Sequence, residues 1–203
     1  MPKLSTIQCE HGTSQSMKLD TKQKKYINII IVYPFAILIF STLINLTFIN
    51  IDSLQISLPT EWHLHISILS ALVLTINHSL LMTTTEITRV KFRMYATPEE
   101  LHERGFSGKD ISKDGIQELQ RNHNAHRNLT ENTCFFIALA LPFILTTPSI
   151  AATFLWLMGF ALCRFGHTIS YLVGSTNFRS IFMTLSLLAM YGIASHLIIS
   201  WII

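Results

Sequence analysis

Glu131 stands in a stretch that has to be a membrane helix, and other polar groups stand with it. The polar segment from Arg121 to Glu131 runs directly into the apolar run Phe135 to Leu145. That run is too short to cross a bilayer, which takes about 20 helical residues. A spanning helix must therefore begin near Ala125 and carry Arg127, Asn128 and Glu131 with it. Ionisable groups at that depth are costly, and they mark a bundle interior or a polar cavity. Arg127 and Glu131 are four residues apart and Asn128 and Glu131 three, so the spacing puts all three on one helix face.

Composition agrees with a membrane setting. Of the 203 residues, 13% are charged and 49% hydrophobic, against about 25% charged in soluble domains. This excludes a separate soluble domain, and a formal charge of +3 gives no reason to expect nucleic acid as a partner. Five apolar stretches follow the polar tail 1–26, at 27–49, 64–88, 125–146, 150–173 and 180–203. The first is about twice the length of a signal-peptide apolar region and has no obvious small-x-small cleavage site, so it reads as a span. Pro34 within it is tolerable in a membrane helix.

Charge orients the chain. None of the 15 Lys and Arg lies in the connections 50–63 or 147–149. All lie in the N-terminal tail, in the 89–124 loop, or at or within a helix end on that same side. The positive-inside rule therefore places the N-terminus and the 89–124 loop in the cytoplasm and the C-terminus on the far side. The links between the last three spans are short, which makes antiparallel neighbours. The expected fold is all-α: a polytopic membrane four-helix bundle over 62–203, with one extra N-terminal transmembrane helix at 27–49 packed on its outside. In the long loop, Thr97-Pro98-Glu99-Glu100 reads as a helix start, with Thr97 as cap and Pro98 at the first helical position.

Four polar clusters sit near the cytoplasmic ends of the spans. Arg89, Lys91 and Arg93 close the second span, where ordinary interfacial anchoring also explains them. Arg127, Asn128 and Glu131 also read as a structural ion pair between helices. Arg164, His167 and Tyr171 lie at i, i+3 and i+7 and form one stripe, against the plainer reading of a core histidine. Arg179 and Ser180 open the last span, where an arginine can simply snorkel. Together they offer several cations, one carboxylate, and hydroxyl and imidazole donors near one membrane face. That suits a small, multiply anionic ligand that also carries an ammonium. Glutathione answers the description, with two carboxylates, one amine and a thiol, but the residues alone do not name it.

Other signals are weak. The patterns at Asn45, Asn77 and Asn128 match a glycosylation acceptor but lie inside spans. His63 with His65, and His123 with His126, lack a third ligand at convincing spacing, so no metal is expected. Cys9, Cys134 and Cys163 form no C-x-x-C pair, and Cys134 and Cys163, which lie in spans, read as small buried apolar residues. There is no nucleophile elbow and no phosphate loop.

Over about residues 64–203 the chain resembles the MAPEG family, the membrane-associated proteins of eicosanoid and glutathione metabolism. The segment Arg89 to Glu100 is similar to the family's basic segment leading into its N-P-E-D motif. Ala125 to Asn132 is similar to its A-H-x-N-D-x-E-N segment. Arg164 to Leu172, followed by Phe178-Arg179-Ser180, is similar to its R-x-x-H-T-x-x-Y-L and arginine segments. The resemblance implies a homotrimer of four-helix bundles with glutathione as co-substrate between neighbouring subunits near the cytoplasmic face. It implies glutathione binding by Arg89, Arg127, Asn128, Glu131, His167, Tyr171, Arg179 and Ser180, with Arg179 and Ser180 catalytic through the thiolate. Glu100 and Arg164 take secondary roles. Asn124 stands where the family usually has arginine, Glu100 and Leu129 each replace an aspartate, and Met183 replaces the tyrosine of the prostaglandin synthases.

The function implied is a membrane-bound glutathione transferase acting on hydrophobic electrophiles in the bilayer, with reduction of lipid hydroperoxides as an extension. The alternatives are a glutathione-dependent prostaglandin-endoperoxide isomerase, a non-catalytic lipid-binding scaffold, and a purely structural bundle held by interhelical ion pairs. The expected membrane is the endoplasmic reticulum in a eukaryote or the inner membrane in a bacterium, with the active site facing the cytoplasm.

Overall fold

The computed structural model describes residues 21–94, 97–105 and 112–203. Cys9 and the start of the polar tail lie outside the described residues. The elements are α1 (Thr21–Phe48), α2 (Glu61–Lys91), α3 (Pro98–Glu103), α4 (Lys113–Leu145), α5 (Ile150–Thr153), a π-helical turn (Phe154–Met158), α6 (Gly159–Val173) and α7 (Thr176–Ile202). The described residues contain no strand. Among the described residues, five spans are long and apolar enough to cross a membrane, with α5, the π turn and α6 running together as Ile150–Val173.

All five apolar stretches are helical; four of the helices begin before their stretches, and Ile150–Val173 matches its own at both ends. α4 begins at Lys113, twelve residues before the expected Ala125. Ser112 caps it, its hydroxyl accepting from Gly115 N at 3.0 Å. The first three turns of α4 are polar and outside the apolar core, so hydrophobicity does not reveal them. α3 starts as its residues dictate: Thr97 Oγ1 accepts from Glu100 N at 3.3 Å, with Pro98 in the first turn. The Glu99 backbone amide, and then Thr97, hold the Glu99 carboxyl below the usual carboxylate range.

The chain divides into two compact units, Met1–Pro34 and Phe35–Ile203. In the first, the described residues 21–34 form the start of α1. In the second, α6 packs closely on α7, and α2 lies against α4 and α6. Leu81, Phe143, Phe160 and Ile193 fill the middle, and the Phe136 and Phe160 rings stack 4.0 Å apart at 2°. In the π turn three consecutive residues, Trp156, Leu157 and Met158, are buried. Gly192 of α7 makes room for Trp156: a Cβ there would lie 2.5 Å from the indole.

Asn45 ties the second half of α1 to this core. It is 0% exposed. Its Nδ2 donates to Gly192 O and Ser195 Oγ, both at 2.8 Å, while Trp156 Nε1 donates to its Oδ1 at 3.0 Å. A buried carboxamide is costly in apolar surroundings unless it is paired, and this one is paired at both ends. At the same end of the bundle the 49–60 connection is laced down by its backbone. Leu54 N donates to Ser200 O at 2.7 Å and Ser57 N to Leu145 O at 3.0 Å. The His63 ring bonds Thr60 Oγ1 and Pro148 O, both at 2.6 Å, so both its nitrogens are engaged.

At the arginine-rich end, Asn122 Nδ2 donates to Thr88 Oγ1 at 2.8 Å and pins α4 to α2. Gly174, at φ 76°, caps α6 in the left-handed conformation, with Ser175 N donating to Ser170 O at 2.9 Å. This sharp reversal brings the start of α7 back beside the end of α6.

Candidate functional site

The stripe on α6 becomes a path from the interior to the surface. Arg164 is 0% exposed. Its Nη2 donates to Asn128 Oδ1 at 2.6 Å and Asn128 O at 2.7 Å, and its Nη1 reaches Met183 Sδ at 3.3 Å and Ser186 Oγ at 3.4 Å. Arg164 thus joins α4, α6 and α7. Among the described residues no carboxylate pairs with it. Neutral acceptors, three oxygens and the Met183 sulfur, solvate its two terminal nitrogens, while its Nε has no partner among the described residues, so its solvation depends on the positions of three helices.

One consequence falls on Asn128. Its carbonyl oxygen is taken by Arg164, so the network assigns its Nδ2 to the other side, where it offers only N–H donors. The helical spacing puts Arg127, Asn128 and Glu131 on one face, and here the structure differs. Asn128 is drawn inward to α6, while Arg127 and Glu131 point out of the chain, 73% and 62% exposed, with Nε and Oε1 3.9 Å apart. The 100° step between adjacent residues lets packing draw Asn128 to one side and leave Arg127 on the other.

One turn beyond Arg164, the buried His167 ring meets Tyr171 edge-on at 5.1 Å. The Arg179 guanidinium carbon lies 4.8 Å over the other end of the run, the Tyr171 ring. The Gly174 reversal makes this contact possible. Tyr171 and Arg179 then open on a pocket of about 420 Å3 whose opposite wall is Gln117, Gln120, Arg121 and Asn124 of α4.

The other candidates lie apart from this run. Arg89 Nη1 pairs with Glu86 Oε1 at 2.6 Å on its own helix. The Ser180 hydroxyl donates to Thr176 O at 3.1 Å, so it is turned onto its own backbone although the residue is exposed. Glu100 lies in the first turn of α3. Sequence reasoning missed Glu86 and Ser186, and took Arg121 only as a topology charge and Asn124 only as a departure. A signal was there: positions 117, 120, 121, 124, 127 and 131 recur at helical spacing along one side of α4.

A second cavity, about 450 Å3, lies between α2 and α4 and is apolar, with Leu74, Leu129, Phe136 and Ala140 on its walls and His78 and Cys134 beside them. No group of three metal-ligating side chains occurs among the described residues.

No curated protein and no solved structure gives a significant match to the chain. The MAPEG family model matches residues 67–199, well over half of it. That span runs from the second turn of α2 almost to the end of α7, and takes in the Arg164–Asn128 clamp and both walls of the Tyr171–Arg179 pocket. The chain belongs to the MAPEG family.

Proposed function

We propose that this protein is a membrane-bound glutathione transferase that conjugates the glutathione thiolate to hydrophobic electrophiles dissolved in the bilayer. The family is glutathione-dependent in general. The observation that carries the reading is Arg179, held over the Tyr171 ring at the mouth of a polar pocket at the arginine-rich end.

The chemistry asked of Arg179 is modest. A free thiol with a pKa near 8.5 is only a few per cent ionised at pH 7. Lowering that pKa by about two units takes about 2.7 kcal/mol of preference for the anion. A charge-assisted hydrogen bond to a guanidinium is worth about 1.5–3 kcal/mol, so one arginine in a partly dry site suffices. Ser180 stands beside it and contributes once its hydroxyl turns from Thr176 O. Asn128 donates to a ligand carbonyl or carboxylate. Glu131 takes the ligand's ammonium, while Arg127 and Arg89 take carboxylate, each leaving its helix partner. His167 and Tyr171 line the approach, and Glu100 and Arg164 support it. The thiolate attacks the electrophile, the carbon–sulfur bond forms, and the leaving group departs with the electron pair.

The exposed Arg127–Glu131 pair supports a homotrimer with the site between subunits. A charge facing lipid costs about 2.5–3.5 kcal/mol at the centre of a span on insertion scales, and less toward the end of the span where this pair stands. A neighbouring subunit and a bound zwitterion remove that exposure together. The apolar cavity between α2 and α4 offers a route for the acceptor from the bilayer side. In this reading the site faces the cytoplasm. A scaffold that only presents lipid has no use for a thiolate-stabilising Arg179. The isomerase reading is weakened at Met183, whose sulfur faces Arg164 and carries no hydroxyl.

Detergent-solubilised protein incubated with glutathione and a chloronitrobenzene tests the reading directly. Conjugate formation, with ultraviolet thiolate absorbance from bound glutathione, is the expected result. Neither signal at saturating glutathione would leave the scaffold reading standing.

A further inference from the structure

We infer that Arg121 is a carboxylate-binding residue of this site, taking one carboxylate of the ligand in the pocket it shares with Arg179. The inference rests on the glutathione reading above and names a contact that reading lacks.

The pocket wall has a consistent chemical sense. Arg121 and Arg179 line one open, shallow pocket of about 420 Å3, and among the described residues no acidic side chain lines it. Two guanidinium groups around one small space repel each other, and an anion between them relieves that repulsion. The neutral lining points the same way. Gln120 Nε2 donates to Asn124 Oδ1 at 3.0 Å, so the Asn124 oxygen is occupied and its NH2 is what remains to be offered. Guanidinium and amide N–H donors make a site for a carboxylate, and the forked geometry of arginine suits a two-oxygen acceptor.

Arg121 is also free to change partner. Its Nη1 contacts Glu118 Oε2 at 3.2 Å, three residues back on α4, with the two side chains 47% and 37% exposed. Such a solvated pair is weak and readily exchanged. Glu118 itself lines a different pocket, with Lys91 and Asn122. Moving Arg121 to a ligand therefore brings no carboxylate into the anion's space.

The test measures glutathione KM, kcat and melting temperature for the wild type, Arg121→Gln, Arg121→Lys, and Arg121→Gln combined with Asn124→Arg. Position 124 lines the same pocket about one turn further along α4, so an arginine there restores the charge from a neighbouring point. The expected result is a KM raised about tenfold in Arg121→Gln, a kcat within about twofold, an unchanged melting temperature, and recovery of most of the KM in the double variant. Glutathione monoesters, blocked at each carboxylate in turn, identify the contact: for one of the two esters the wild type and Arg121→Gln should bind alike. Wild-type protein that binds glutathione while Arg121→Gln keeps its KM overturns the inference and leaves the transferase reading intact. An equal loss for glutathione and both esters overturns it as well. A wild type that binds no glutathione overturns both.

Discussion

Arg164 Nη2 donates to both oxygens of Asn128, the side-chain carbonyl at 2.6 Å and the backbone carbonyl at 2.7 Å. The pair makes a prediction that separates folding from binding. In Asn128→Asp the carboxylate still accepts from Arg164, now with opposite charge, but it has no N–H to give a ligand. Melting temperature in detergent should hold or rise, while glutathione affinity falls about tenfold or more. In Asn128→Ala the guanidinium loses one acceptor in a buried place, and melting temperature should fall together with affinity. An Asn128→Asp variant that binds glutathione like the wild type would remove Asn128 as a donor to the ligand.

Arg179→Ala should lower turnover by about 10²-fold, the scale of losing one preorganised donor to a developing anion. Glutathione binding should weaken much less, and the thiolate absorbance of the bound complex should fade. A variant that keeps both absorbance and rate would take Arg179 out of the chemistry.

Glu131→Gln should weaken glutathione binding, because truncating one side of a desolvated charge pair typically costs about 2–5 kcal/mol. Its pairing with Arg127 inside one chain is long and exposed, and is worth little by itself. The stability of the assembled protein, followed by cross-linking at rising temperature, should therefore change only slightly. Unchanged affinity with a loosened assembly would assign the pair to subunit packing alone.

Asn45→Ala should destabilise the bundle without touching turnover. It leaves the buried Trp156 N–H without its acceptor and removes two donations into α7. Each buried group left unpaired costs about 1–3 kcal/mol. The melting temperature should drop, and Trp156 emission should report the change. Deleting residues 1–55 should show the same pattern: activity largely kept, stability and membrane yield reduced. Loss of kcat in Asn45→Ala at temperatures where the protein stays folded would contradict this.

Different parts of this arrangement were legible in the sequence to different degrees, for physical reasons. The five spans follow from apolar length, because nothing else in a chain this poor in charge can bury so much hydrocarbon. The α6 stripe from Arg164 to Tyr171 follows from helical period, since those residues share one face whatever packs on them. What period does not decide is which side of a borderline residue its neighbours claim. Asn128 lies between the outward and inward faces of α4, and Arg164, a residue 36 positions away, draws it inward. Nor does hydropathy reveal a helix in the polar stretch that begins at Lys113. With it, the wall that places Arg121 opposite Tyr171 goes unseen. Asn45 is a similar case: a single amide in an apolar helix has no pattern, and its meaning comes from a carbonyl and an indole on distant segments.

The π-helical turn at Phe154–Met158 sets the register of the span in which it lies, Ile150–Val173. The turn winds in one residue more than regular α-helix does, so a residue removed inside it, such as the exposed Leu155, would let it close to regular winding with Arg164 still facing Asn128. The same loss from the regular stretch 159–163, which has no surplus to give up, would rotate Arg164 by about 100° away from Asn128. Tyr171 and Arg179 both follow that stretch and would move together, so the damage would fall on the clamp to α4. Two single-residue deletions only a few positions apart should therefore differ sharply, the first tolerated and the second destabilising.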